Sequence, residues 1–477
     1  MTIRIVNSLT RKKEELVPAS PPGGPCGGKT IRMYSCGVTV YDRCHIGHAR
    51  SLYIFEVIRR YLKYRGYDVR FARNITDVDD KIINKARETG KRFEEVVAEN
   101  IAAYQADLKS LGIPPADVEP RATENIPEMI KDIQGLIQKG FAYPADGEVY
   151  YDVRKFREYG RLSGQSVDKM MEAVRIEQDE KKKDPLDFAL WKKSKEDEPF
   201  WESPWGRGRP GWHIECSCMS LKHLQCETLD IHAGGRDLIF PHHENEIAQA
   251  EPLTGKPFAK YWIHHGLLTI QGQKMAKSLG NFITVQDALK KYSVDQLKMF
   301  FLSSHYASPI DFTPDKMEEA RRALQRFEVL FTRVSRMNIP PTQEAQEMDF
   351  IGEHLEKFLE AMDDDFNTPR AMGHLFDLVT ATNKFIDAGQ DKRDYAGIVE
   401  EAAATVTRLC TDIFGLSLSR AAAAAGPKEE EMEGLLKQRE QARAKKDFKR
   451  SDKIRDALKE KGIIVEDTKD GQVWRRA

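Results

Sequence analysis

What this chain lacks narrows it first. It contains no run of the ~18 apolar residues a membrane-spanning helix needs. Its opening stretch, MTIRIVNSLTRKKEELV, has no apolar core of the signal-peptide kind. The seven cysteines are an odd number and include no Cys-x-x-Cys pair. That argues against a disulfide framework and for a reducing, cytoplasmic setting in which thiols stay free or bind metal. The formal net charge is only −1, so any contact with nucleic acid has to come from local basic surface. No internal repeat of fixed period is present. At 477 residues the chain has room for about three domains.

What is there begins with IRMYSCGVTV, a buried-strand pattern. A His-Gly-His turn follows, then Ile54, Val57, Ile58, Tyr61 and Leu62 at helical spacing, closed by Gly66, and YDVRFARNIT returns as a second strand. This βαβ unit predicts a parallel sheet with its ligand site at the carboxyl ends of the strands. LDIHAGG and YWIHHGLLTI read as strands that resume the sheet later on. PASPPGGPCGGK, residues 18 to 29, reads as an exposed loop. The expected division is a Rossmann-like α/β catalytic domain over 1–121 and 205–314, a connective insertion over 122–204, and a helical bundle over 315–420. A linker over 421–431 and a small α+β module over 432–477 complete it. From Met432 to Ala477 there are 14 Lys and Arg against 9 Asp and Glu, a basic surface suited to RNA.

His45 and His48 lie three apart at a helix start, where unpaired N–H groups and the helix dipole favour an anion. That disfavours a pair of metal ligands and suits imidazole donors to a phosphate. Gly47, without a Cβ, leaves the backbone open to a flat base. The plain alternative is two histidines capping a helix. GQKMAKSLGNF places Lys274 and Lys277 in a polar loop, as a mobile arm bringing two charges to a polyphosphate would. In PHHENEIAQA, His242 and Glu246 share a helix face at i and i+4, with His243 and Glu246 a poorer pair. Two remote cysteines would complete a zinc-type set, but spacing alone does not select them. The carboxylates of TDVDDK read as caps of the helix that follows, not as a magnesium site.

HIGH after a first strand with KMAKS late in the same domain resembles the signature pair of class I aminoacyl-tRNA synthetases. YSCGVTVYDRCHIGHAR, RNITDVDDKI, DFALWKKSK, GRPGWHIECSCM, FPHHENEIAQ and KMAKSLGNF, in this order, resemble the cysteinyl-tRNA synthetase family end to end. The resemblance implies ATP-dependent activation of L-cysteine and its transfer to tRNA-Cys. His45, His48, Lys274 and Lys277 would be catalytic, and Gly47, Gly235 and Asp237 would join them in binding ATP and its Mg2+. It implies one Zn2+ on Cys36, Cys216, His242 and Glu246, with Cys44, Cys218 and His243 left out. Thr76, Trp212 and His232 would line the cysteine pocket, and Arg443, Phe448, Asp452 and Asp467 would contact the anticodon. A monomer with no membrane association is expected.

The metal suits the task, because serine differs from cysteine only by oxygen for sulfur, and cavity size cannot separate them. Two rivals share the core. An aminosugar-acylating ligase would lack the C-terminal module, and a silent RNA-binding paralogue would show damaged signature elements. The chain departs from the family at Ala276, where serine is usual, and at KIINK, where Asn84 replaces a lysine associated with a persulfide-forming side activity.

Overall fold

The computed structural model describes residues 2–19, 29–166, 181–276, 279–337, 349–389, 395–418, 429–445, 447–460, 463–468 and 471–476. The chain opens with a hairpin, β1 (Arg4–Asn7) and β2 (Lys12–Glu15), which the sequence pattern did not announce. β3 (Thr30–Thr39), helix α1 (Ile46–Tyr64) and β4 (Asp68–Thr76) form the expected βαβ unit, with β3 and β4 parallel. α1 buries Ile54, Val57, Ile58, Tyr61 and Leu62 on the sheet, the stripe its periodicity foretold.

α2 (Asp80–Thr89), α3 (Phe93–Ser110) and α4 (Ile126–Gln138) follow. Asp79 caps α2 by accepting from Lys81 N–H, Asp77 accepts from Thr123, and Asp80 pairs with Lys192 at 2.7 Å and with Arg209. The acidic cluster is thus consumed by caps and ion pairs. The insertion is a four-stranded antiparallel sheet of β5 (Ala142–Ala145), β6 (Glu148–Tyr151), β7 (Phe188–Lys193) and β8 (Gly208–Pro210). Because Trp191 pairs with Pro210, this sheet runs to residue 210.

β9 (Leu229–Gly235) and β10 (Ala259–His265) return to the main sheet, whose order is β10-β9-β3-β4, all parallel. The connections leave β3 and β9 toward opposite edges, so a crevice opens between their carboxyl ends, as at the switch point of a doubly wound sheet. The expected single run YWIHHGLLTI breaks at Gly266. Its second part, β11 (Leu268–Ile270), joins a separate small sheet with β12 (Gln273–Lys274) and β13 (Ile310–Phe312).

Beyond β13 come helices Pro314–Arg336, Asp349–Asp363, Thr368–Asp387 and Tyr395–Arg408. Their apolar faces share one core with α1 and the main sheet. The C-terminal part has helices Glu429–Ala444 and Phe448–Glu460 and a hairpin of β14 (Ile463–Thr468) and β15 (Gly471–Arg476), around Leu436, Ile454, Leu458, Ile463 and Val465. No helix among the described residues is long and apolar enough to cross a membrane.

Candidate active site and metal centre

The chain leaves β3 at the crevice and enters α1 through His45. Its Nδ1 accepts from His48 N–H at 3.2 Å, and His48 Nδ1 accepts from His45 N–H at 3.4 Å. The rings stack with centroids 3.6 Å apart. The two histidines therefore do cap the helix, and the cap fixes their chemistry. With both Nδ1 atoms accepting, the ring protons reside on Nε2, which is left to donate to a ligand oxygen. Burial lowers the pKa to about 4 for His45 and about 3 for His48, so both are neutral donors at pH 7. A Cβ on Gly47 would stand 2.9 Å from the His45 ring and 3.4 Å from Met275 Cε, so glycine here first admits the stacked ring.

The other signature segment lies alongside. Ile46 N–H donates to Ile283 O, Val285 N–H donates to Cys44 O, and Phe282 packs edge-on against His45 at 5.3 Å. Asn281 ties off the loop, accepting from Ala276 N–H at 2.8 Å and donating to Lys274 O at 3.1 Å. Lys274 is exposed on β12; Lys277 lies outside the described residues. Across the crevice, Asp237 Oδ1 sits where a Cβ on Gly235 would stand, and His265 Nε2 would be 3.5 Å from that Cβ. Asp237 acts electrostatically on both His45 and His265. Sequence reasoning missed His265; its only signal is a His-His pair at the carboxyl end of a strand.

Beneath this end a second cluster is buried. One donor atom each from Cys36, Cys216, His242 and Glu246 lie within 4.8 Å of one another. Cys36 Sγ is 3.8 Å from Cys216 Sγ and 3.4 Å from Glu246 Oε1, and His242 Nε2 is 3.1 Å from the same Oε1. Cys36 sits in the irregular part of β3, Cys216 on helix Trp212–Leu224, and Glu246 on helix Glu244–Thr254. A second combination, Cys36, His232, His243 and Glu246, also lies within this radius.

His242 has its Nδ1 2.9 Å from His213 Nδ1, while its buried Nε2 approaches Glu246 Oε1 at 3.1 Å without the alignment of a hydrogen bond. The other two histidines are also each held through one nitrogen: His243 Nδ1 lies 2.8 Å from His264 Nε2 with its Nε2 3.3 Å from Cys36 Sγ, and His232 Nε2 lies 2.7 Å from Glu246 Oε2 with its buried Nδ1 unpartnered among the described residues. An imidazole oriented through one nitrogen with the other turned toward thiols and a carboxylate is how a metal-binding histidine is held, and His242 and His243 both fit that description. Burial raises the thiol pKa of Cys36, and the neighbours that raise it further, Cys216 and Glu246, are themselves acidic. Two thiols, a carboxylate and an imidazole nitrogen within this radius could hold a metal ion, and such a mixed S/N/O set fits zinc.

Trp212, about one-third exposed, stacks on His242 with centroids 4.0 Å apart. Thr76, at the end of β4, donates to Glu215 Oε2 at 2.7 Å and accepts from Asn74 Nδ2 at 3.1 Å. His232 is fully buried, with Nε2 2.7 Å from Glu246 Oε2 and its ring stacked on Trp262 at 4.5 Å. Cys218 is buried beside Asp132, and Cys44 is held in the core under α1. His213 and His264, which sequence reasoning missed, extend the imidazole chain outward, with His264 Nδ1 2.8 Å from Ser8 Oγ. In the C-terminal part Phe448 is 60% exposed, and Arg443 and Asp452 are exposed, Asp452 lying 3.3 Å from Arg455. Asp467 is on β14, its side chain outside the described residues.

Residues 24–322 match the family described as tRNA synthetases class I (C) catalytic domain, 357–419 the DALR domain, and 429–475 the cysteinyl-tRNA ligase anticodon binding domain. Over all of both chains, this one is 49% identical to the cysteine–tRNA ligase of Sulfurihydrogenibium sp. (strain YO3AOP1). It is 45% identical to that of Aquifex aeolicus (strain VF5), across the whole chain and 99% of the relative. Among solved structures, Mycobacterium tuberculosis methionyl-tRNA synthetase with methionyl-adenylate matches 83% of this chain and 93% of its own, at a TM-score of 0.63 and 14% identity. That likeness speaks for the fold. The chain belongs to the cysteine–tRNA ligase family of class I aminoacyl-tRNA synthetases.

Proposed function

We propose that this chain activates L-cysteine with ATP and esterifies it to the 3′-terminal adenosine of tRNA-Cys, in the cytoplasm and as a monomer. The observation that carries the reading is the convergence of Cys36, Cys216, His242 and Glu246 under the crevice that holds His45 and His48. The amino-acid carboxylate attacks the α-phosphorus of ATP, forming the mixed anhydride and releasing pyrophosphate with the Mg2+ the nucleotide brings. The terminal ribose hydroxyl then attacks the carbonyl, forming the ester and releasing AMP.

No side chain forms a covalent bond in either step; the chain supplies donors and cations where charge develops. His45 and His48 offer neutral Nε2–H donors to phosphate oxygens. Lys274 and Lys277 bring positive charge on the arm that Asn281 anchors. Gly47 and Gly235 belong to the proposed ATP site by leaving room for the His45 ring and the Asp237 carboxylate, and Asp237 accepts from ribose hydroxyls. Thr76, Trp212 and His232 bound the amino acid, His232 with its Nε2 against Glu246. Cys36, Cys216, His242 and Glu246 would hold Zn2+, which when bound supplies a soft Lewis acid that favours a thiolate over a neutral alcohol. In the C-terminal module, Phe448 offers an open ring for base stacking, and Arg443, Asp452 and Asp467 are the proposed polar contacts to the anticodon.

The match of residues 429–475 to an anticodon-binding family argues for tRNA over an aminosugar as acceptor. The test is cysteine-dependent ATP–pyrophosphate exchange with serine as competitor, then charging of tRNA-Cys against an aminosugar. Exchange without charging of the tRNA would refute the acceptor, and equal use of serine would refute the amino-acid reading. Removing residues 432–477 is expected to weaken charging while leaving exchange intact.

A further inference from the structure

Arg50 is fully buried at the start of the second turn of α1, two residues after His48. Among the described residues no carboxylate partners its guanidinium, which is held by four main-chain carbonyls. Nη1 donates to Gly266 O at 2.7 Å and to Leu267 O at 3.0 Å, and Nη2 donates to Ser308 O at 2.6 Å and to Tyr306 O at 3.4 Å. A lysine has no planar fork with which to reach four oxygens at once.

These carbonyls come from two segments that nothing else on α1 holds in this way. Gly266 and Leu267 join β10 to β11, and β11 pairs with β12, which ends at Lys274. Tyr306 and Ser308 lead into β13, the other neighbour of β11. The two segments also touch directly: Gly266 N–H donates to Tyr306 O at 2.8 Å, and a Cβ on residue 266 would collide with the Ser308 carbonyl. Arg50 thus gathers both roots of the small sheet that carries Lys274 onto the helix turn that carries His45 and His48. A buried cation spent wholly on backbone oxygens is an expensive way to add stability. As a fixed joint between two signature elements it has a use.

We propose that Arg50 is a positioning residue for adenylate formation, setting the β11–β12 arm and its Lys274 at a fixed distance from His45 and His48. The inference rests on the function proposed above. The test is a double-mutant cycle in cysteine-dependent ATP–pyrophosphate exchange, with Arg50→Lys and Lys274→Ala made singly and together. Arg50→Lys is expected to lower kcat by about 30-fold, with KM for cysteine within about twofold, and to cost less than about twofold in the Lys274→Ala background. An equal loss in both backgrounds would make Arg50 a support of general stability and overturn the proposal.

Amide hydrogen exchange gives a readout that needs no activity. Arg50→Lys should speed exchange over residues 266–274 by at least about fivefold while the later turns of α1 stay protected. Unchanged exchange over 266–274 would also overturn the proposal, as would failure of both Arg50→Lys and Arg50→Met to fold. An inactive parent chain would sink the functional reading instead, and the exchange pattern would still report on Arg50.

Discussion

Two groups of histidines sit at the same end of one parallel sheet and are wired in opposite ways. His45 and His48 satisfy each other's backbone through Nδ1 and stack in a closed cap. This group is complete before any ligand arrives, and its remaining nitrogens are available donors. His242, His243 and His232 belong to a buried chain in which neighbours fix the rings, and His242 Nε2 lies among two thiols and a carboxylate without an aligned hydrogen bond. On the function proposed above, a cation would complete this second group, and the difference would separate two tasks of the site: preorganised hydrogen-bond donation where phosphate reacts, and coordination where the amino acid is chosen.

The comparison can be broken from either side. The largest effect is expected at the buried group: Cys216→Ser should cost at least about 10³-fold in cysteine-dependent exchange and strip the protein of metal. Retained zinc with retained exchange would contradict it. At the open group, His48→Ala should cost about 10²- to 10³-fold in kcat with metal content unchanged, measured by exchange beside elemental analysis.

Ala276→Ser restores the hydroxyl usual in the family, but Asn281 already anchors this segment through Ala276 N–H. The exchange rate should therefore rise less than about tenfold, and a larger rise would show the hydroxyl to be a working donor. The smallest effect concerns acid stability. The folded pKa values of about 4 and about 3 for His45 and His48 lie below the ordinary 6.5, so the unfolded chain takes up protons first. Their contribution is fully present above pH 6.5 and is lost as pH falls from there through about 4 for His45 and about 3 for His48. Urea midpoints for His48→Gln should fall less steeply across this window than those of the parent chain, and parallel slopes would contradict the cap account.

The open group was legible because its information is local. A strand, a turn and a helix adjacent in the chain set His45 and His48 on one turn, and the period of α1 declares which face is buried. The buried group was not legible from pattern. Cys36 and Cys216 reach Glu246 only because β3 lies beside β9 and two helices pack over that end; family resemblance, not spacing, selected them. His213 and His264 were invisible for the same reason, since their partners come from other segments. The insertion's sheet was missed because β5 and β6 are four residues each and pair onward with a strand far along the chain. The N-terminal hairpin escaped because β2, Lys12–Glu15, is charged throughout and has no buried face to betray it.

The central claim is that sulfur is selected by a metal at Cys36, Cys216, His242 and Glu246. The most direct measurement is the absorption spectrum of the protein with Co2+ in place of the native ion, titrated with cysteine and with serine. The account predicts one bound metal per chain and a thiolate-to-metal charge-transfer band that grows with cysteine and is unmoved by serine. A band indifferent to cysteine, or a chain that retains no metal, would contradict it.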